Sequence, residues 1–196
     1  MSFATLFDLE HQLAVFTGAP YVIVTDCCTH AIELCFRFTK FENTSFTAYT
    51  YLSIPMTLTQ LGVKFQYTEE TWTGEYQFHG TNIWDSARRL EKNMYKSGQL
   101  QCLSFGQTKP LHVGRLGAIL TDNIDFYTTV SKWRSDGRDL RTSPWQSQLY
   151  FEQGFHYCPT LETCQNALDK LVQFEGGITE HKYPNLKHIH VINKPR

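Results

Sequence analysis

The sequence predicts an α/β fold with a mostly parallel central sheet flanked by helices. Three observations carry that expectation. Strand-like runs alternate with stretches of helical periodicity, the order that builds a parallel sheet through helical crossovers. The run Tyr21-Val22-Ile23-Val24-Thr25 is nearly all β-branched or aromatic, as strands covered on both faces are. No linker, internal repeat or low-complexity segment divides the 196 residues, so a single domain of ordinary size is expected.

Taken in order, residues 7–16 place apolar side chains at 7, 9, 13, 14 and 16, a helical spacing closed by Gly18 and Pro20. The strand at 21–25 follows, then a turn at 26–29 and a helix over 31–38. Residues 45–48 read as a strand. A helix over 53–61 has Pro55 in its first turn and Gly62 after its end, and a strand at 63–67 follows. Residues 68–79 lack a period and read as a loop or hairpin. Strands are expected at 81–84, 101–105 and 117–121, and a helix over 124–133. A polar loop then runs to about Pro144, and a last helix covers 161–174. The tail from Gly176 is rich in His, Lys and Pro, with one possible strand at 188–192.

Composition narrows the function classes. The chain is 41% hydrophobic and 14% aromatic, enough for a sizeable core, and its net charge of −1 gives no electrostatic reason to bind nucleic acid. Six cysteines at 27, 28, 35, 102, 158 and 164 are scattered without a Cys-x-x-Cys pair. They read as thiols in a reducing compartment rather than as disulfides or a zinc site. The first residues carry no basic stretch or apolar core of a signal peptide, and no run is long enough to span a membrane, so a cytoplasmic location is expected. His181, His188 and His190 read as a solvated tail rather than a metal site.

Three places could carry chemistry. The turn Asp26-Cys27-Cys28-Thr29-His30-Ala31 joins a buried strand to a helix start. Its backbone N–H groups and the Thr29 hydroxyl suit a phosphate, although Asp26 or Thr29 could equally be an ordinary N-cap. Asp85 ends the strand Thr81-Asn82-Ile83-Trp84 and could likewise cap a helix. Lys109 closes Ser104-Phe105-Gly106-Gln107-Thr108-Lys109, just beyond another strand, and alone would read as a surface charge. An acid at one strand end and a lysine past another suit pyridoxal phosphate. That cofactor takes a lysine at its aldehyde and a carboxylate at its ring nitrogen.

Together these stretches resemble the DegT/StrS-type pyridoxal-phosphate-dependent aminotransferases, which aminate nucleotide-linked keto-sugars. The resemblance starts at Phe7 and runs through Leu13-Ala14-Val15-Phe16-Thr17-Gly18. It continues in Cys28-Thr29-His30-Ala31 (family Gly-Thr-x-Ala), Ala48-Tyr49-Thr50-Tyr51 (Pro-x-x-Thr-aromatic) and Trp84-Asp85-Ser86-Ala87 (Glu-Asp-Ala-Ala). Ser104 to Lys109 matches Ser-Phe-x-x-x-Lys, and Gly154-Phe155-His156-Tyr157 matches Gly-Tyr-Asn-Tyr.

The resemblance implies the large domain of the aspartate aminotransferase-like transferases over residues 1–175, shortened, with the small domain largely missing and 176–196 as a tail or remnant. It implies a Schiff base between Lys109 and pyridoxal 5′-phosphate, with Asp85 on the ring nitrogen and Tyr51 stacked on the ring. Cys28, Thr29 and Ser104 would hold the phosphate, and Arg88 stands at a family glutamine beside the cofactor. His156 would reach the neighbouring subunit's phosphate, which implies a homodimer with shared active sites. The implied reaction moves an amino group from an amino acid such as glutamate to a keto-sugar, with Arg134, Arg138 and Arg141 as candidates for a nucleotide tail. The alternative is a truncated relative that binds the cofactor or keeps the dimeric fold without transaminating; a generic α/β binding protein is the remaining reading. The sequence departs from the family at Cys28, where a glycine is usual, at Arg88, and at Cys158, where an arginine follows the tyrosine. The block between Tyr67 and Gly80 is much shortened.

Overall fold

The computed structural model describes residues 3–142, 144–180 and 182–188. Helix α1 (Ala4–Thr17) ends at Gly18, whose left-handed φ of 76° lets its N–H reach the Ala14 carbonyl. Then come β1 (Tyr21–Thr25), α2 (Cys28–Thr39), β2 (Asn43–Thr47), α3 (Ser53–Gln60) and β3 (Lys64–Thr68). Strands β4 (Tyr76–Gln77), β5 (Ile83–Asp85), β6 (Arg89–Leu90), β7 (Leu100–Ser104) and β8 (Gly117–Thr121) follow. The chain continues with α4 (Ile124–Trp133), α5 (Leu161–Leu171) and β9 (Gly177–Ile178). Side chains cap the last two helices: Asn123 accepts from the Phe126 N–H and Thr160 from the Thr163 N–H.

The main sheet has the order β1-β8-β7-β5-β4. Only β5 and β7 pair in parallel within it; β1–β8, β7–β8 and β4–β5 are antiparallel. Strands β2 and β3 pair in parallel and join the sheet beyond β4 through one antiparallel bridge, Ser45 to His79. Followed across these pairings, β1, β2, β3, β5 and β7 share one direction, and β4 and β8 oppose it. The sheet is therefore mixed, with a parallel majority.

Alternation along the central strands feeds two cores. Ile23, Cys102 and Ile119 face the layer of α2 and α3, where Ile32, Phe36, Phe46 and Phe78 pack. Val22, Val24, Leu103, Ala118 and Leu120 face α1 and α5, with Leu6, Leu9, Leu13 and Cys164. This burial on both faces is why these strands read as continuous apolar runs. Among the described residues no helix is long and apolar enough to cross a membrane. The six cysteines carry free thiols, and Cys35 Sγ lies 3.6 Å from Cys102 Sγ in the core.

Several expectations shift. Helix α2 begins at Cys28, not Ala31, because the Cys28 thiol turns inward onto the Cys102 carbonyl and draws the first turn into the core. Within 68–79, expected as a loop or hairpin, the hairpin holds only at β4, with Tyr76 opposite Asp85. Helix α5 stops at Leu171, and Phe174 folds back onto the Phe16 ring. The two-residue ladder of β6 with β9 has no periodic signal in the sequence. Arg134 belongs to no solvated loop. It is 1% exposed and donates to Glu10 and to the Val24 carbonyl, while Glu10 accepts from the Val24 N–H. Residues 189–192 of the possible strand and the histidines at 181 and 190 lie outside the described residues; His188 closes a short turn, Leu186–His188.

Candidate functional site

Strands β1, β5 and β7 run the same way, so their carboxyl ends open at one edge of the sheet, where ligand crevices of open α/β folds form. A cavity of about 640 Å³ lies there. Its walls include Cys28, Thr29, Tyr51, Asp85, Arg88, Ser104 and Lys109. These are seven of the eight residues expected around the cofactor; the eighth is His156.

Asp85 ends β5 and is 4% exposed. No helix follows it. One carboxylate oxygen accepts from the Ala87 N–H at 2.9 Å, and the other accepts from the Tyr76 hydroxyl at 2.9 Å. The Tyr76 oxygen also lies 2.7 Å from Thr50 Oγ1. Burial raises the Asp85 carboxyl above its ordinary range against the opposing charge of Lys109. Burial, then the charge of Asp85, push the Tyr76 phenol well up.

Lys109 follows β7 in a tight turn in which its N–H reaches the Gly106 carbonyl. Its Nζ donates to the Tyr183 hydroxyl at 3.3 Å. Arg88 is 7% exposed and ties this loop down: Nη1 donates to the Thr108 carbonyl at 3.0 Å, and Nη2 donates to Tyr183 Oη at 3.3 Å. Its Nε has no hydrogen-bond partner among the described residues.

Helix α2 points its N-terminus into the same cavity. Cys27 is the N-cap, extended at φ −162°, and makes no side-chain cap bond, so neither Asp26 nor Thr29 caps this helix. Thr29 Oγ1 instead lies 2.7 Å from Ser53 Oγ at the start of α3. Cys28, where the family has glycine, is an ordinary right-handed helical residue and needs no glycine freedom. The close approach falls on Gly117 instead, where a Cβ would lie 2.3 Å from the Cys27 carbonyl carbon. Beside the helix start, Asp26 accepts from His30 Nδ1 at 2.6 Å and from Arg115 at 2.9 Å. Asp26, Cys27 and His30 bring possible metal-ligand atoms within 4.8 Å of one another, but the Arg115 guanidinium already occupies Asp26 and opposes a cation.

His156 stands apart. Its side chain is 86% exposed and faces Asp136 at 3.1 Å. Arg134, Arg138 and Arg141 do not line the cavity: Arg134 is in the core, Arg138 pairs with Asp136, and Arg141 lies over the Phe7 ring. The cations at the walls are Arg88, Lys109, Arg115 and Lys182. Sequence reading did not single out Tyr76, which lay in a stretch read as a loop or hairpin. It also missed Trp72, Ser53 and the tail residues Lys182 and Tyr183, for which no local pattern exists.

Among solved structures, Helicobacter pylori PseC, an aminotransferase involved in the biosynthesis of pseudoaminic acid, superposes with a TM-score of 0.72 at 14% identity, over 86% of this chain and 57% of that one. A DegT DnrJ EryC1 StrS aminotransferase from Brucella abortus gives 0.71 at 14% identity, over 87% and 59%. The fold is that of the DegT/StrS-type aminotransferases. GDP-4-keto-6-deoxymannose-3-dehydratase (ColD) matches too, with 0.67 at 12% identity over 87% and 61%, so this fold also carries a dehydratase. The chain thus spans less than two thirds of the length of each. No family model and no curated protein matches the sequence.

Proposed function

We propose that the chain is a pyridoxal-phosphate-dependent, aminotransferase-like protein acting on a keto-sugar, with Lys109 as the amine that bonds the cofactor. The observation that supports this most is the meeting of Lys109, the buried Asp85 and the uncapped start of α2 in one cavity. The donor set fits the cofactor. The α2 N–H groups with Thr29 and Ser104 suit its phosphate, because a helix N-terminus attracts an anion. Asp85 suits a protonated ring nitrogen, since a buried carboxyl gains most from a cationic neighbour. Tyr51, 60% exposed at the mouth, suits the ring face, and Arg88 offers Nε, which has no hydrogen-bond partner among the described residues.

When bound, the cofactor supplies an electron sink for a carbanion at the substrate carbon. Asp85 holds the proton on the ring nitrogen. With the cofactor bound, Lys109 Nζ would carry the proton to and from the substrate carbon as general base and acid. An amino acid such as glutamate serves as donor and a nucleotide-linked keto-sugar as acceptor; Arg115 and Lys182 are the cations placed to meet a phosphate at the mouth. His156, exposed and outside the cavity, suits a role toward the partner subunit of a homodimer.

The second reading is a relative that binds the cofactor without transaminating. Incubation with pyridoxal phosphate is expected to produce an absorption band in the visible or near ultraviolet that Lys109→Ala abolishes; no band overturns the cofactor assignment. Glutamate then separates the readings, because an enzyme converts the band to that of the aminated cofactor and a binding relative leaves it unchanged. Sizing with the cofactor bound tests the dimer, and a monomer at micromolar concentration refutes it.

A further inference from the structure

We propose that residues 182–186 form a built-in competitor for the cofactor, with the Tyr183 phenol seated where the cofactor's own phenolic oxygen belongs. The inference rests on the cofactor reading above. The Tyr183 oxygen accepts from two cationic donors, Lys109 Nζ and Arg88 Nη2, each at 3.3 Å. Pyridoxal phosphate carries a phenolic oxygen on the ring carbon next to its aldehyde. A lysine bonded at that aldehyde therefore has its nitrogen within hydrogen-bond reach of that oxygen. Lys109, which holds the Tyr183 phenol, is thus the side chain that would hold the cofactor's phenol, and Arg88 stands beside it as a second donor to the same position. The surroundings agree: the Tyr183 ring lies 6.1 Å from the Tyr51 ring and 6.4 Å from Trp72, in the aromatic wall of the cavity. Two phenols cannot share one position, so cofactor entry requires Tyr183 to leave.

The segment is built to hold this pose and to release it. Upstream, the Thr179 N–H reaches the Arg88 carbonyl at 2.9 Å. Downstream, the Leu186 N–H reaches the Ala48 carbonyl at 2.9 Å, and Leu186 is 2% exposed. Pro184 disfavours the helical region at Tyr183, and residues 182–185 form neither helix nor strand as they pass the mouth. Among the further ties, Asn185 and Lys187 reach Glu69, a carboxylate 57% exposed where ion pairs hold weakly, and Asn185 Nδ2 also donates to Tyr49 Oη at 3.4 Å. A site blocked for part of the time binds with an affinity reduced by the fraction that is open.

The test titrates pyridoxal phosphate into the full-length protein, Tyr183→Phe and Tyr183→Ala, following the Lys109-dependent band. Amide hydrogen exchange of residues 182–188 is read in parallel. If the strap is seated about nine-tenths of the time, Tyr183→Ala binds about tenfold more tightly. Tyr183→Phe, which keeps the ring and loses both hydrogen bonds, falls between. In the unaltered protein the cofactor speeds exchange in the strap. Equal or weaker binding by both variants, or slower exchange in the strap on cofactor addition, overturns the competitor and leaves the cofactor reading standing. A band in the variants alone supports the strap. No band in any of the three proteins overturns both.

Discussion

Tyr76 links the acid of the site to the core. It donates to Asp85 and lies within hydrogen-bond distance of Thr50, with all three buried. Tyr76→Phe leaves Asp85 and Thr50 each short of a partner. The expected cost is about 1–3 kcal/mol, read from urea unfolding. His30 sets a pH dependence. Burial alone would lower its imidazole, but its bonds to Asp26 and Cys27 raise it to about 9. The folded value exceeds the unfolded one, so His30 contributes stability that is complete below about 6.5 and disappears as pH rises through about 9. His30→Gln is expected to flatten that decline, and a thermal midpoint series over pH checks it; a decline of unchanged depth in the variant contradicts it. Asp85 and Lys109 were legible in the sequence because each sits at the visible end of an apolar strand. Tyr76 was not, since its two-residue strand is too short to show a period, and Tyr183 was not, since only tertiary folding brings the tail to the cavity.

At the scale of elements, the start of α2 rests on Gly117. A Cβ there would lie 2.5 Å from Cys28 N as well as on the Cys27 carbonyl, both backbone atoms that cannot rotate away. Gly117→Ala is expected to push the helix start off β8, costing about 1–3 kcal/mol by overpacking and weakening phosphate capture. Denaturant unfolding and the cofactor titration read the two effects separately. Strands β1 and β8 and helix α4 match the sequence reading end for end, because bounding glycines, prolines and an Asn cap mark where they stop. The start of α2 could not be placed that way. Asp26 and Thr29 are both N-cap residue types, yet the cap is Cys27, and the Cys28 thiol meets the Cys102 carbonyl of β7 far along the chain.

For the molecule as a whole, Glu10 and Arg134 join α1, β1 and the end of α4 through one buried ion pair. Removing one partner, as in Glu10→Gln or Arg134→Met, strands the other or weakens its pairing, and Arg134→Met is expected to cost about 3–5 kcal/mol. The double variant Glu10→Leu with Arg134→Met is expected to recover most of that loss, and a double-mutant cycle in denaturant measures the coupling. The joint between β4 and β2 has a different consequence. The main sheet continues into β2 and β3 across a single bridge, supported by Thr44 Oγ1 on the His79 carbonyl at 3.0 Å and by the packing of Phe46 on Phe78. Such a seam is the weak line along which subglobal opening propagates. Deuterium uptake is expected to rise first in Phe65 and Tyr67 of β3, ahead of Leu103 in β7 and Ile119 in β8. Because Tyr51 and Ser53 are carried on the far side of that seam, the breathing of one sheet margin would set how wide the cavity stands open.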